Sequence, residues 1–137
     1  LSVYVVDCSV AASWVLPDEA SDAASGILDQ VGDDSILTPF LWPSEIANVL
    51  LMAERRNRIS AEQRNQALTL LTRLPIVVAP FDYVVEWPIT YELAQRFGLT
   101  FYDACYVRLA DSHRAPLATL DKQMSVAAAA MGLDLAF

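Results

Sequence analysis

The sequence predicts an α/β fold: a parallel sheet with helices on both faces, the three-layer α/β/α sandwich. Two observations predict it. Short apolar, β-rich runs alternate along the chain with longer segments of helical spacing, the pattern of strands joined by helical crossovers. The first of these runs, Val3-Tyr4-Val5-Val6, is apolar without a polar alternate, as expected of a strand buried on both faces. With 137 residues and no internal repeat, low-complexity tract or Gly/Ser linker, residues 1–137 are expected to form a single domain.

The elements follow in order. Residues 3–6 are a strand ended by Asp7-Cys8-Ser9, and residues 10–16 a short helix stopped by Pro17. Residues 18–30 carry Ala20, Ala23, Ala24, Ile27 and Leu28 at helical spacing. Gly32-Asp33-Asp34 is a turn, and residues 36–38 a brief strand before Pro39. Residues 42–56 are the clearest helix, with Pro43 near its start and arginines crowding its end. Residues 61–73 are another helix, and residues 76–79 a strand between Pro75 and Pro80. A helix over residues 89–97 is closed by Gly98, and residues 102–113 are an apolar-rich helix. Residues 117–119 are a strand, 121–131 an Ala-rich helix ended by Gly132, and 133–137 a last short strand. In such a sheet all strand C-termini line one edge, and ligands bind in the crevice there.

Four acids gather at that edge. Asp7 and Asp121 each follow a strand and precede a helix, Asp103 opens a helix, and Glu45 lies in the first turn of its own. Helix capping accounts for any one of them taken alone, since Asp is a favoured N-cap. Capping does not account for their company, because Val5-Val6-Asp7 and Phe101-Tyr102-Asp103 set an acid hard against apolar residues. Two unit charges about 4 Å apart repel by about 4 kcal/mol at an effective dielectric of about 20. A convergent cluster therefore needs a cation or raised pKa values. All-oxygen ligands suit hard cations such as Mg²⁺ or Mn²⁺, one or two of them. Such a centre activates water and stabilises the leaving oxygen in phosphodiester hydrolysis.

Charge bears on the same question. The formal net charge is −8, which argues against passive nucleic-acid binding unless bound metal offsets it locally. Arg55, Arg56, Arg58 and Arg64 fall within ten residues; a solvated helix end and a contact patch explain them equally well. Other chemistries fit poorly. The single histidine, His113, lies eight residues beyond Cys105 on one predicted helix, about 12 Å away, too far for a dyad. The four glycines form no phosphate loop, and no CxxC or His-rich zinc pattern exists. Cys8 and Cys105 are too few for a disulfide framework and suit small buried positions in a reducing compartment. No apolar run spans a bilayer, and Asp7 with no basic n-region argues against a signal peptide, so a cytoplasmic location is expected. Core packing is the favoured place for Trp14, Trp42 and Trp87, with base or partner contact as the alternative.

Four segments, Tyr4-Val5-Val6-Asp7-Cys8-Ser9, Pro43-Ser44-Glu45-Ile46-Ala47-Asn48, Leu99-Thr100-Phe101-Tyr102-Asp103-Ala104 and Leu117-Ala118-Thr119-Leu120-Asp121-Lys122, resemble the acidic blocks of the PIN-domain family. They look most like the VapC-type toxins of toxin–antitoxin pairs, in the right order and over nearly the whole chain. The resemblance implies a PIN-like sandwich and Mg²⁺- or Mn²⁺-dependent cleavage of RNA. It also implies a cognate antitoxin and a homodimer. Residue by residue, Asp7, Glu45, Asp103 and Asp121 match the metal-binding, catalytic acids, and Ser9 and Thr119 match supporting hydrogen-bonders. A turn or cap hydroxyl explains those last two as well. Cys105 stands where the family often has an apolar residue. Two alternatives share this pattern: a PIN nuclease of RNA processing with no antitoxin, and a non-enzymatic binding module whose acids only cap helices.

Overall fold

A computed structural model describes residues 3–31 and 35–137; the turn expected at Gly32-Asp33-Asp34 lies outside them. The chain runs β1 (Val3–Val6), α1 (Cys8–Val15), a 3-10 turn (Pro17–Glu19), α2 (Asp22–Val31) and β2 (Ser35–Thr38). It continues through α3 (Trp42–Arg55), α4 (Ala61–Thr72), β3 (Ile76–Val78), α5 (Tyr83–Phe97), α6 (Phe101–His113), β4 (Leu117–Ala118) and α7 (Lys122–Ala130). Among the described residues the strands form one sheet in the order β3-β2-β1-β4, every neighbouring pair parallel. The predicted α/β fold is what forms.

Strand alternation divides the core. Val5, Leu37 and Leu117 point into one apolar cluster, while their neighbours Val6, Ile36 and Ala118 point into another, as successive residues of a strand must. The larger cluster takes side chains from α3, α4, α5, α6 and α7, including Leu50, Leu93, Tyr106 and Met124. The smaller is built on Ala24, Ile27 and Val31 of α2 with Val10 of α1. This burial on both sides is why β1 reads as an unbroken apolar run.

The strand order also fixes the site. From β1 the chain steps to β2 and β3 on one side, then crosses to β4 on the other. The connections reverse direction between β1 and β4, and at such a point a crevice opens beyond the strands' C-terminal ends. Asp7 ends β1, and Thr119 and Asp121 follow β4, so both strands deliver their polar residues there.

Three expectations change in detail. The single helix over residues 18–30 is two pieces, because Ala20 is extended (φ −57°, ψ 139°) and the Ser21 hydroxyl accepts the Ala24 N–H at 3.3 Å. α5 begins at Tyr83, six residues before the expected start, with Pro88 inside it. Asp82 caps it by accepting the Val84 N–H at 3.2 Å, and the carbonyl that Pro88 deprives of a partner belongs to Val84, which is 69% exposed to water. The strand over residues 133–137 amounts to one parallel bridge, Leu117 to Leu135.

The tryptophans divide. Trp42 is buried, and Trp14 is half-buried with its indole N–H donating to the Ala24 carbonyl at 2.7 Å. Trp87 departs from the core reading: it is 50% exposed and stacks on Tyr83, one helical turn before it, at 4.7 Å. Its helix starts earlier than the sequence suggested, and this turn overhangs the surface with Val84 and Val85 also exposed.

Candidate active site

Asp7 is the centre of the site's hydrogen bonding. As N-cap of α1 it accepts the Val10 N–H at 3.1 Å through Oδ1, which also takes the Ser9 hydroxyl at 2.6 Å. Its Oδ2 takes the hydroxyl of Thr119, 112 residues away. The same Thr119 oxygen accepts the Asp121 N–H at 2.9 Å, and the Ser9 oxygen accepts the Leu120 N–H at 3.0 Å. Two hydroxyls thus stitch the end of β1 to the end of β4. Ser9 and Thr119 thus both bond the Asp7 carboxylate.

Asp121 caps α7 through Oδ1, accepting the Met124 N–H at 2.9 Å. Capping therefore describes part of what Asp7 and Asp121 do. It does not describe the other two acids. α6 is capped by Thr100, whose hydroxyl accepts the Asp103 N–H at 3.1 Å, so Asp103 lies inside the helix and is not its cap. Glu45 makes no cap bond on α3; its Oε1 accepts the hydroxyl of Tyr106 from α6.

Three of the four carboxyls are lifted by burial and by the charge of another acid of the set. Burial lifts the Asp7 carboxyl above its ordinary value, the bonds from Ser9, Thr119 and Val10 offset part of this, and the Asp121 charge raises it further. Glu45 is raised first by burial and then by Asp103 and Asp7, with the Tyr106 bond opposing. Asp103 is raised by burial and by Asp121, with the Thr100 hydroxyl opposing. Asp7 and Asp103 thus each feel the Asp121 charge and Glu45 feels both Asp103 and Asp7, and no Lys or Arg among the described residues pairs with any of them.

The donor set fits a hard cation: four carboxylates, crowded, partly desolvated and lacking a counter-charge. Among the described residues no three Asp, Glu, Cys or His side chains stand close enough to grip one ion as they are.

The other candidates settle differently. Burial, followed by the charges of Glu45, Asp7 and Glu19, pushes the Cys8 thiol up to about 12. Burial pushes Cys105 likewise to about 12, so both behave as inert small side chains. His113 is exposed at the end of α6, its Nδ1 3.0 Å from the Ser112 hydroxyl and 3.2 Å from the Leu109 carbonyl. Arg58 is engaged with Asp18 at 2.8 Å and Glu19 at 2.6 Å, and Arg64 with Glu54 at 2.6 Å. Half of the arginine run is therefore held by acids, and Arg55 stands ten residues beyond Glu45 on α3, about 15 Å along the helix. A cleft of about 360 Å³ between the ends of β2 and β3 and helices α5 and α6 contains none of the four acids.

Sequence reasoning missed Tyr106. It lies three residues after Asp103, on the same face of α6, and that spacing is the signal that marks it.

The PIN domain family model matches residues 4–130. Ribonuclease VapC3 of Pyrobaculum aerophilum is 31% identical over 121 residues, covering 88% of this chain and 91% of its own. Ribonuclease VapC1 of Mycobacterium tuberculosis is 36% identical over 124 residues, covering 88% and 90%. Among solved structures, VapBC2 from Rickettsia felis, bound to a DNA fragment from their promoter, superposes with a TM-score of 0.65 at 16% identity, covering 90% of this chain and 92% of that one. At that identity the likeness speaks for the fold.

Proposed function

The chain belongs to the PIN-domain family, of the VapC ribonuclease type, and on that premise we propose that Asp7, Glu45, Asp103 and Asp121 form the Mg²⁺- or Mn²⁺-dependent active site of an endoribonuclease toxin. The observation that carries the assignment is the gathering of acids at the sheet's switch point, where Thr119 joins Asp7 to Asp121 and where burial and neighbouring acids lift Asp7, Glu45 and Asp103, with no basic side chain among the described residues to neutralise them. A non-enzymatic module with capped helices has no use for such an arrangement, because Glu45 and Asp103 cap nothing.

The residues divide the work. Asp7 is held rigid on both oxygens by Ser9, Val10 and Thr119. Asp121 is fixed by α7, leaving its second oxygen for a ligand. Asp103 keeps its carboxylate in the first turn of α6. A bound cation supplies Lewis-acid stabilisation of the phosphate and a water of lowered pKa. Its charge also answers the objection that a protein of net charge −8 repels RNA, since attraction is restored where the substrate's phosphate must sit. Among the described residues no helix is long and apolar enough to cross a membrane. Its partners are a cognate antitoxin that covers the acidic cleft and a second copy of the chain. The exposed aromatics Tyr83, Trp87 and Tyr91 on α5 offer apolar surface suited to protein contact.

The test is direct. Purified protein incubated with total cellular RNA is expected to generate discrete new ends with Mg²⁺ or Mn²⁺ and none with EDTA. RNA left intact with both metals would sink the nuclease assignment. Growth arrest relieved by co-expressing the adjacent gene is the expected sign of a toxin.

Thr119 gives a finer prediction. Thr119→Val keeps the shape but removes the donor to Asp7 and the acceptor for the Asp121 N–H. Losing such a support typically costs about 10- to 100-fold in metal affinity or activity. Cleavage rates unchanged in the variant would show that Thr119 only shapes the turn.

A further inference from the structure

We propose that Tyr106 is a positioning residue of this site: its hydroxyl holds the Glu45 carboxylate among the other acids. The proposal rests on the metal-centre assignment made above.

Glu45 needs holding. It is half-buried in the first turn of α3, on a long side chain, with Asp7 and Asp103 both repelling it. Its three companions are fixed by shorter side chains or by caps. Left alone, a glutamate in that position swings towards water. Among the described residues its one hydrogen-bond partner is the Tyr106 hydroxyl, 61 residues further along the chain.

Tyr106 suits the task. It is 1% exposed and packed into the larger core, so the ring is a fixed post. It projects from the same face of α6 as Asp103, so one helix contributes a candidate ligand and the support for another. The donor is also uncharged. A lysine or arginine here would hold Glu45 by cancelling the negative field that attracts a cation. A phenol holds it without doing so, and it occupies Oε1 while leaving Oε2.

The experiment uses the whole chain and reads Mn²⁺ binding, by the electron paramagnetic resonance signal of free Mn²⁺, and thermal melting in EDTA. The proteins are wild type, Tyr106→Phe, Glu45→Ala and the double variant. Tyr106→Phe, which keeps the ring, is expected to weaken Mn²⁺ binding by about tenfold or more while melting with the wild type. Adding it to Glu45→Ala is expected to change binding no further. Wild-type affinity in Tyr106→Phe would overturn the proposal and leave the metal centre standing. So would a full additional loss in the double variant, which would place the effect away from Glu45. A Tyr106→Phe melt far below wild type would make Tyr106 a packing residue. Wild-type protein that binds no Mn²⁺ would overturn the metal centre and this proposal together.

Discussion

Asp7→Asn is expected to cut RNA cleavage by about 10²- to 10³-fold while the protein stays folded. The magnitude is that of removing a principal electrostatic group from an active site. The claim about folding is the more specific one. Asp7 is 1% exposed, and its carboxyl is raised mainly by burial, so the charged form is what the folded protein tolerates least. Asparagine has the same shape. Its carbonyl can keep the bonds from the Ser9 hydroxyl and the Val10 N–H, and its amide can donate to the Thr119 oxygen. The melting temperature in EDTA is therefore expected to hold or rise, since a buried charge is exchanged for a neutral group with its partners intact. Cleavage and melting measured on the same preparation decide it. A folded variant that still cleaves RNA would remove Asp7 from the chemistry. A variant that unfolds would make the residue structural.

The second large effect is on stability and reads the same electrostatics without any substrate. Three groups, Asp7, Glu45 and Asp103, have folded-state values above their unfolded ones. For an acid raised in this way the folded state binds protons more tightly than the unfolded state. The stabilisation is complete below the ordinary carboxylate range and is lost as pH rises through the raised values. In EDTA the protein is therefore expected to lose melting temperature as pH rises from the ordinary carboxylate range, about 4, to about 8. Asp18 works in the opposite sense, because Arg58 lowers it and its contribution fades as pH falls. That pair is exposed and its effect is small beside three crowded carboxylates. Divalent cation should reverse the loss. A ligand at 100 times its dissociation constant stabilises by about 2.7 kcal/mol, which for a domain of this size is roughly 5–10 °C. A melting temperature that rises with pH in EDTA, or that ignores Mg²⁺ and Mn²⁺, would contradict the gathering of acids.

Much of this was legible in the sequence because it depends on local signals. β1 announced its burial on both faces by Val3-Tyr4-Val5-Val6, and Pro43 with Arg55 marked the two ends of α3. The strand-to-helix placement of Asp7 and Asp121 put both at one sheet edge before any coordinates. What was not legible depends on contacts. A proline usually closes a helix on its N-terminal side, yet α5 runs through Pro88, because the lone carbonyl it creates lies near the helix start and in water. The arginine run had two even readings, and only the meeting of Arg58 with Asp18, forty residues apart, assigned it in part to ion pairing. Strand order is of the same kind. Nothing in the sequence told β4 to lie against β1 instead of extending the sheet beyond β3, and that choice makes the crevice.

The bond between Asp7 and Thr119 joins partners 112 positions apart. A ribosome has therefore assembled nearly all of the described chain before the two can meet. Until then β1 has no β4 beside it and Asp7 lacks the hydroxyl that steadies it. The proposed centre closes only once residues 117–121 have joined the sheet, and that order is written into which strand sits next to which.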